Sequence, residues 1–483
     1  MSRIALREFH TFDAAGQRYV YLVPSAAVVR LDDAAAAVVD ELAHGARTRA
    51  ELETALADRF DLATIESSVA ELMHVRAVGP AAAPRERTLK VLPPADFPLT
   101  TMVLNVTSKC NLACTYCYEY GADRIAQTSA KPMPRFLDEQ TARQSVDFMF
   151  RRAGSNQIVY LTFFGGETLL NFKVLQSTLV YARQRAAETG KHVEFSLTTN
   201  GTLLRPEIIE WLAENDVAVT ISIDGPRELQ DRFRVFHNGR GSYDLMMPKV
   251  KELLRRHTSR PIGARVTLTR QNLDVVGIFR HLTEDIGFRE VGFAPVTTAN
   301  GREYAIEDSG FYQMLAQFDT LAWEFLEHAV ENRHHGFSNV KDTLEEIHKG
   351  ASKAYPCGAG MGLMGVATNG EVALCHRFAG SDAHRLGSVT EGIDAERQAA
   401  FMSRHHLADK TDCSKCWARP MCAGGCYHEA HTRYGDTTRP NLHYCEWIRS
   451  WTHTCLRVYG ELAERNPAWL GRFDHQRSPQ EVV

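Results

Sequence analysis

From residue 102 onwards, short uninterrupted apolar runs alternate with longer segments in which apolar residues recur at helical spacing. Uninterrupted runs are typical of parallel strands that are covered by helices. The predicted strands are 102–106, 158–164, 193–199, 217–223, 262–268 and 291–295. The predicted helices between them are 138–152, 169–188, 206–215, 243–257 and 274–286. The six βα units predict an α/β fold, a partial (β/α)6 TIM barrel over residues 99–345, with its chemistry in the loops after the strands.

Residues 1–80 have a different pattern and predict a separate module. Two β-rich runs, 18–23 and 26–31, precede three short helical segments, and the second helix starts with a capping-box signature. Two strands followed by three helices give a winged-helix outline. The module lacks the basic stripe of a nucleic-acid-binding winged helix, so the other interpretation is that a free strand edge binds a peptide. Prolines between residues 80 and 98 then predict a stiff linker over residues 81–98.

Composition narrows the functional classes. A length of 483 residues predicts two to four domains. The net charge of −4 and the absence of a long basic run disfavour a nucleic-acid partner. The sequence has neither an apolar run long enough to span a membrane nor a signal-peptide pattern, which favours a cytoplasmic protein. In that reducing compartment, we expect the eleven cysteines to be metal ligands rather than disulfides.

Three of those cysteines follow the first predicted strand of the barrel. Cys110, Cys114 and Cys117 are spaced C-x3-C-x2-C. Thiolates are soft ligands, and three on one short loop suit a [4Fe–4S] cluster. Such a cluster has four irons, so one iron stays open for a ligand that is not protein. A zinc site without its fourth ligand is the other interpretation, but zinc ligands usually come as separated C-x2-C pairs.

Polar residues follow the next strands of the predicted barrel. A Gly-Gly-Glu motif ends the second strand, Asn200 follows the third, and Ser222 and Asp224 follow the fourth. Turn and cap chemistry is an alternative role for each residue taken alone. Arg265 lies on the fifth strand. Arg234, after the fourth strand, is the weaker candidate, and its default interpretation is a surface arginine.

Together these residues resemble the radical S-adenosylmethionine (SAM) enzymes over roughly residues 100–300. The resemblance implies that the open iron binds the amino and carboxylate groups of SAM. Reduction then cleaves SAM to methionine and a 5′-deoxyadenosyl radical, which takes a hydrogen atom from the substrate. In this family the Gly-Gly-Glu motif holds the methionine amino group, and Arg265 resembles the arginine that pairs with the methionine carboxylate. The cofactor-binding residues implied are Tyr116, Gly165, Gly166, Glu167, Asn200, Ser222, Asp224 and Arg265.

Seven further cysteines resemble the signature of the SPASM domain of radical SAM enzymes that modify peptides. The predicted domain spans residues 346–460, and residues 461–483 are predicted to be a C-terminal tail. The signature implies two auxiliary [4Fe–4S] clusters, so the chain would hold three clusters in all. The outer group of ligands implied is Cys413, Cys416, Cys422 and Cys445, and the inner group is Cys357, Cys375 and Cys426. Cys455 is left over, and its apolar helical context predicts a buried thiol.

The inner group has one cysteine fewer than some family members have. Two hypotheses follow for the fourth position of that cluster. A local histidine or aspartate could fill it, with His376 nearest in sequence. Alternatively, a thiolate of the substrate binds there during turnover, which would deprotonate the sulfur and place it for coupling. The sequence alone favours the second hypothesis only slightly.

Two other residues refine the chemistry. Sulfatase-maturating members of the family carry an aspartate where this chain has His376, which weakens an assignment to formylglycine formation. Asp409 and Asp412 precede the outer cysteines, and either could be a base that takes a proton from the substrate. Asp409 is the better catalytic candidate, because Asp412 has the position of a cap.

The order of the three parts also resembles that of peptide maturases. Residues 1–80 resemble PqqD-like peptide recognition modules, which capture a leader segment by strand addition. The stretches 422–429 and 441–448 look most like those of quinohemoprotein amine dehydrogenase maturases. That resemblance implies thioether formation in the small γ subunit, from a cysteine sulfur to a methylene carbon of Asp or Glu. An electron donor such as flavodoxin or ferredoxin would be needed. The alternatives are a maturase that forms carbon–carbon or other crosslinks, and an iron–sulfur peptide-binding chaperone without turnover.

Overall fold

The structure, a computed structural model, describes residues 3–82, 89–119, 121–125 and 133–476. Its strands are β1 Ile4–Leu6, β2 Phe9–Ala14, β3 Gln17–Leu22, β4 Val28–Leu31, β5 Val78–Pro80, β6 Thr101–Thr107, β7 Ile158–Gly165, β8 His192–Thr199, β9 Ala218–Ser222, β10 Gly263–Leu268, β11 Glu290–Pro295, β12 Leu363–Val366, β13 Glu371–Ala373, β14 Arg385–Ser388 and β15 Gly392–Ile393. Its α-helices are α1 Asp33–Ala43, α2 Arg49–Leu56, α3 Leu62–His74, α4 Glu139–Arg152, α5 Phe172–Thr189, α6 Pro206–Glu214, α7 Arg227–Phe233, α8 Tyr243–Arg256, α9 Val275–Arg280, α10 Asp308–Val330, α11 Ser338–Lys349, α12 Ala395–His405, α13 Arg419–Cys422, α14 Tyr427–Tyr434, α15 Cys445–Arg465 and α16 Pro467–Leu470.

Six parallel strands, β6 to β11, lie side by side in chain order. Alternate residues of each strand pack beneath the helices, as Ala264, Val266 and Leu268 of β10 do. The residues between them, such as Arg265, face the concave interior. The predicted set of six βα units is therefore confirmed, and the predicted strand bounds differ by one or two residues from those observed.

Four further strands, β12 to β15, extend this sheet beyond β6. β12 runs parallel to β6, with Met364 opposite Met102, and β13 to β15 continue in antiparallel order. The hydrophobic pattern did not predict these strands, because they are two to four residues long and rich in glycine. The cysteine-rich C-terminal part thus shares the sheet of the barrel.

The N-terminal module contains a three-stranded antiparallel sheet in the order β2-β3-β4, followed by α1 to α3. The sequence predicted only two strands; β2, which pairs with β3 from Phe9–Leu22 to Ala14–Gln17, was missed. β2 was missed because its polar and apolar residues alternate only weakly. The capping box at the start of α2 is confirmed, because Thr48 and Glu51 each accept a hydrogen bond from the other's backbone N–H. Within the described ranges, β4 pairs only with β3 and forms an edge.

The module packs against the C-terminal helix α15 and the loop before α13. The His10 ring stacks on Trp417, with ring centroids 3.6 Å apart and an interplanar angle of 5°. The Tyr19 hydroxyl donates to Glu464 over 2.5 Å. α15 extends to Arg465, beyond residue 460, where the sequence placed the end of the C-terminal domain. Trp469 in α16 is also buried. Residues 461–476 are part of the folded structure rather than a tail.

The remaining predictions on segments fall partly outside the described residues. Within the predicted linker, residues 83–88 are outside them, and residues 89–98 contain neither helix nor strand. Residues 477–483 of the predicted tail are also outside them. In the part of the chain that the structure describes, no helix is both long and apolar enough to cross a membrane.

Candidate active site

A cavity of about 550 Å3 opens at the carboxyl ends of the parallel strands and extends into the concave interior of the sheet. Its walls come from the loop after β6, from β7 to β11, from Arg234 after α7, from Ser338 and Asp342 of α11, and from residues 376–377 after β13. The predicted site residues that line it are Cys110, Cys114, Tyr116, Cys117, Gly165, Gly166, Asn200, Ser222, Arg234, Arg265 and His376. The fold therefore gathers residues that are 267 positions apart, from 110 to 377, around one space.

The loop of residues 110–117, here called the first cysteine loop, is fixed by backbone hydrogen bonds. Ala113 N–H donates to the Val235 carbonyl over 2.7 Å, and Thr115 N–H donates to the Phe233 carbonyl over 3.0 Å. The Cys110 sulfur accepts from Leu112 N–H at 3.4 Å. The loop is thus held against the segment after α7, with its three thiols toward the cavity.

The chemistry of these thiols fits an iron–sulfur cluster. Burial raises the pKa of Cys110 to about 11 and that of Cys114 to about 12, while the nearby Arg234 cation opposes the second shift. Enclosed thiols of this kind become thiolates when a metal binds them. Among the described residues, no group of three or more His, Cys, Asp and Glu side chains could hold a single metal ion.

The Glu167 carboxylate is buried at the end of β7. It accepts hydrogen bonds from the Thr199 hydroxyl at 2.6 Å, from Asn200 N–H at 2.8 Å and from Leu169 N–H at 3.0 Å. Burial raises the pKa of Glu167, and these three hydrogen bonds oppose the shift. Glu167 therefore joins the ends of β7 and β8, but it is not one of the described residues that line the cavity. The Gly166 N–H is held separately, because it donates to the Thr107 carbonyl over 3.0 Å.

Asn200 connects the hydrogen bonds of Glu167 to the first cysteine loop. Its amide group lies 3.9 Å from the Cys110 sulfur and donates to the Asn111 side chain over 2.9 Å. Its side-chain oxygen accepts from the backbone N–H and the hydroxyl of Thr202, at 3.0 and 2.6 Å. The residue thus orients one cysteine of the loop.

Tyr116, Asp224 and Arg234 form a buried network beside Cys114. The Tyr116 hydroxyl donates to Asp224, and Arg234 Nε lies 3.1 Å from the same carboxylate oxygen. The Arg234 guanidinium also lies 5.4 Å from the centre of the Tyr116 ring. Arg234 is only 8% exposed, so its interpretation as a surface arginine is wrong. The sequence named Arg234 only as the weaker candidate, because its burial depends on the return of the chain after α7.

Arg265 projects from β10 toward Gly292 on β11. A Cβ atom on Gly292 would lie 3.3 Å from Arg265 Nη1, so the missing side chain leaves room for the guanidinium. Ser222 is its register partner on β9. Burial and the nearby Arg377 cation lower the pKa of Arg265, whereas Asp342 raises it. Arg265 is available for an anionic group in the lower part of the cavity.

The inner group of cysteines comes together next to this cavity. Electrostatic interactions with Cys426 and Cys357 contribute to the raised pKa of Cys375, which burial mainly causes. His376 and Arg377 follow Cys375 and enter the cavity wall, where the His376 ring lies 4.5 Å from the Phe164 ring. Neither hypothesis for the fourth position of the inner cluster is decided by this arrangement.

The outer group is also brought together. Cys422, Cys445 and Cys416 all contribute to the raised pKa of Cys413, whose main cause is burial. One buried cation, Lys410, interacts electrostatically with cysteines of both groups.

Lys410 is buried, and its ammonium interacts with Cys413 and Cys422 of the outer group and with Cys357 of the inner group. A Cβ atom on Gly424 would lie 2.5 Å from Lys410 Nζ, so the loop between Cys422 and Cys426 leaves space for the ammonium.

The position of Asp409 contradicts its predicted role as a catalytic base. Its carboxylate is 41% exposed and forms an ion pair with Lys90 at 2.6 Å. It is not one of the described residues that line the cavity. The carboxylates that do line the cavity are Glu119, Glu290 and Asp342. The sequence argument failed because proximity to Cys413 along the chain does not place Asp409 on the cavity side of the loop.

Three residues of the site were missed. Tyr118 and Glu119 follow the first cysteine loop, and Arg377 lies over the Tyr118 ring at 4.5 Å. Burial raises the pKa of Glu119 to about 7, while Arg377 opposes the shift. Their closeness to Cys117 and Cys375 in sequence was the signal that could have found them.

Comparisons with known proteins agree with this geometry. Residues 104–275 match the family model described as Radical SAM superfamily. This match implies SAM and a [4Fe–4S] cluster as cofactors, and the matched segment contains the first cysteine loop.

Two curated relatives are maturases. The chain is 28% identical over 379 residues to the serine-type anaerobic sulfatase-maturating enzyme of Bacteroides thetaiotaomicron, covering 73% of this chain and 87% of that protein. It is 31% identical over 195 residues to the mycofactocin maturase MftC of Mycolicibacterium smegmatis, covering 40% and 43% of the two chains. A solved structure of native anSMEcpe with bound AdoMet and the Cp18Cys peptide shares the fold. Its TM-score is 0.60 and its identity is 20%, over 79% of this chain and all of that chain.

Proposed function

We propose that this radical SAM chain modifies a peptide or small protein by forming intrapeptidyl thioether crosslinks. The bond would join a cysteine sulfur to a methylene carbon of Asp or Glu. The proposed substrate is the γ subunit of quinohemoprotein amine dehydrogenase. The maturase relatives support the substrate class, and the resemblance in residues 422–429 and 441–448 supports the finer assignment.

One observation carries the proposal: the first cysteine loop and the segment after Cys375 share a single cavity. Cys110, Cys114 and Cys117 line this cavity together with His376 and Arg377, and the Arg377 guanidinium lies 4.5 Å from the ring of Tyr118, the residue after Cys117. A peptide in this cavity would lie between the radical source and the inner group. Crosslinking needs that proximity, because the carbon radical and the sulfur must meet within one bond length.

The reaction balances as follows. When bound, SAM and its cluster supply a 5′-deoxyadenosyl radical that removes one hydrogen atom from the substrate methylene. The thiol loses a proton as its sulfur bonds to that carbon, and one electron is left over. The substrate thus loses two hydrogens in total. The inner and outer cysteine groups would hold auxiliary clusters able to accept that electron, with a flavodoxin or ferredoxin as the external partner.

The residues of the chain would position these groups and exclude water. Cys110, Cys114 and Cys117 would hold the cluster. The Gly165 and Gly166 carbonyls would accept hydrogen bonds from the methionine ammonium, Glu167 would stay buried behind them, and Arg265 would pair with the methionine carboxylate. Asn200, Ser222, Asp224 and Tyr116 would complete the SAM site.

The N-terminal module would bind a leader segment of the substrate. β4 is an edge strand, and its unpaired side can accept a further strand from a peptide. The module is fixed to the C-terminal part through His10 and Trp417. Leader binding would therefore raise the effective concentration of the attached core peptide at the cavity.

Anaerobic incubation of the reconstituted protein with the γ subunit, SAM and a reductant tests the proposal. We expect 5′-deoxyadenosine, a loss of two hydrogens per crosslink, and cysteines that no longer react with an alkylating agent. Alkylatable cysteines in a product of the same mass would favour a carbon–carbon crosslink instead. The absence of 5′-deoxyadenosine would favour a peptide-binding chaperone.

A further inference from the structure

Arg377 is a cation in the cavity wall with few partners of its own. We propose that Arg377 binds the carboxylate of the acidic substrate side chain whose methylene is attacked. This inference rests on the proposed function, because it concerns the same cavity and the same crosslink. On this inference, the Arg377 guanidinium is the group through which the protein selects an acidic residue of the substrate.

The backbone brings Arg377 into the cavity by a close crossing. After β13, residues 375–376 pass over Gly365 of β12, where a Cβ atom would lie 2.4 Å from both the Cys375 carbonyl carbon and the His376 nitrogen. Asn105 of β6 donates to the His376 carbonyl over 3.3 Å and holds the crossing in place. The Arg377 guanidinium then lies over Tyr118, between the two cysteine regions.

The hydrogen bonds of Arg377 leave most of its donors unused. A guanidinium has five N–H donors, and the one hydrogen bond that the described residues offer it is to the Thr297 hydroxyl at 3.0 Å. Glu429 is nearby, but its carboxylate accepts from Thr297 at 3.3 Å and from Asn441 at 3.2 Å. No described carboxylate is close enough to Arg377 to form an ion pair with it.

The other arginines of the cavity differ in this respect. Arg234 is already paired with Asp224 at 3.1 Å and lies beside Cys114. Arg265 lies on β10 and experiences repulsion from Arg377. Two like charges in one cavity favour an anion between or beside them. Glu119 and Asp342 also line the cavity and interact with Arg377 and Arg265 respectively, but neither forms an ion pair with its arginine among the described residues. The Arg377 guanidinium therefore keeps donors for a substrate carboxylate, and Arg265 is left for that of SAM.

A carboxylate suits this second site in both geometry and chemistry. A guanidinium binds a carboxylate through two parallel hydrogen bonds, which fix its plane as well as its position. In Asp or Glu the methylene groups lie one or two bonds from that carboxylate. Arg377 would therefore determine which hydrogen faces the radical source, and an amide would lose the charge-assisted contact.

The test compares γ subunits that carry Glu or Asp at the crosslinked positions with versions that carry Gln or Asn there. For wild-type protein we expect crosslinking of the acidic form to exceed that of the amide form by about 10- to 100-fold, the range of a hydrogen-bonded charged contact. Arg377→Gln should remove this preference, and Arg377→Lys should keep part of it. The matched control is Arg397→Gln, which removes an exposed arginine that is paired with Asp394.

Readouts besides crosslinking separate specificity from damage. In Arg377→Gln we expect the iron content of wild type, and the readout is the ratio of acidic to amide product, in which a general change of rate cancels. Equal preference for the acidic form in Arg377→Gln and wild type would overturn the inference. A shifted cluster reduction potential with an intact acidic preference would also overturn it, because Arg377 would then act on the inner group. If wild-type protein makes no thioether at all, the proposed function fails instead.

Discussion

The two cysteine regions of this protein are built in opposite ways. The first cysteine loop places three thiols within eight residues, directly after β6. The inner and outer groups draw seven thiols from residues 357 to 445, across short strands, turns and helices. The thiols of the first loop are already close in sequence, and hydrogen bonds to the Phe233 and Val235 carbonyls hold the loop in place. The thiols of the second region come together only through the fold, in which residues 375–376 cross Gly365 and Lys410 interacts with both groups.

This difference separates two tasks that one cavity combines. The first loop fits a radical source, which the superfamily match also implies. The second region contributes His376 and Arg377 to the same cavity, so in the proposed function it would contact the substrate. If the two regions have these separate tasks, substitutions in the first cysteine loop should abolish both SAM cleavage and crosslinking. Substitutions in the second region should leave SAM cleavage intact and lower crosslinking.

The largest effect is expected for Cys114→Ala. Loss of one of three ligands should lower 5′-deoxyadenosine formation at least about 100-fold, more than the loss of an outer contact costs a metal site. Chromatography of the nucleoside, with iron analysis, measures it. The control is Cys455→Ala, which removes a buried thiol outside all three groups. Retained SAM cleavage in Cys114→Ala would contradict the assignment of the first cysteine loop.

Cys416→Ala should separate the two regions. Because the outer group is a distinct site, we expect uncoupled 5′-deoxyadenosine formation to stay within about twofold of wild type. Crosslinked product should nevertheless fall strongly, as mass spectrometry of the γ subunit would show. Equal loss of both activities would mean that the two regions do not act separately.

Gly365→Ala tests the crossing that carries Arg377. The added Cβ would collide with backbone atoms of Cys375 and His376, and such overpacking costs about 1–3 kcal/mol. We expect crosslinking to fall while uncoupled SAM cleavage persists. Gly392→Ala is a control with open space at its Cβ position, although its backbone is left-handed. Full crosslinking by Gly365→Ala would show that the crossing tolerates displacement.

Arg30→Pro tests the edge of β4. The antiparallel alternation with β3 points the Arg30 N–H away from the sheet, so proline would remove a donor for an added strand. Loss of one backbone hydrogen bond should weaken leader binding about two- to tenfold in a fluorescence anisotropy titration. Arg30→Ala keeps the N–H and should bind normally. Identical affinities for both variants would contradict strand addition at this edge.

The smallest effect concerns how the module is fixed. Burial, and then His453, lowers the pKa of His10 to about 4. Because the folded pKa is below the ordinary value of 6.5, stability is complete above pH 6.5 and is lost as the pH falls toward 4. The melting temperature should therefore decrease between pH 7 and pH 5, and less so in His10→Phe. His44→Phe changes an exposed histidine and should keep the wild-type dependence.

The barrel was largely predictable because its strands are buried and its helices are amphipathic. Their periodicity gave the six strands and the position of the first cysteine loop at the end of β6. The strands β12 to β15 were not predictable in this way, because β13 and β15 have only three and two residues. Such short strands are stabilised by their neighbours in the sheet rather than by their own pattern.

The residues of the site likewise divide into those that the sequence predicted and those that it did not. Cys110, Gly166 and Asn200 were found because each follows a strand whose end lies at the cavity. Arg234 was taken for a surface residue, and Asp409 for a base, because neither burial nor the direction of a side chain is encoded in spacing. Arg377 was missed for the same reason.

The sequence by itself determined the βα order, the cysteine spacings and the residues at the strand ends, since these depend on contacts between near neighbours. The tertiary structure alone decided which distant groups meet. It carries residues 376–377 over Gly365 into the cavity of the first cysteine loop, and it places Lys410 where it interacts with both the inner and the outer group. The approach of residues 376–377 to that loop depends on packing between segments more than 250 residues apart, and a local pattern contains no record of such packing.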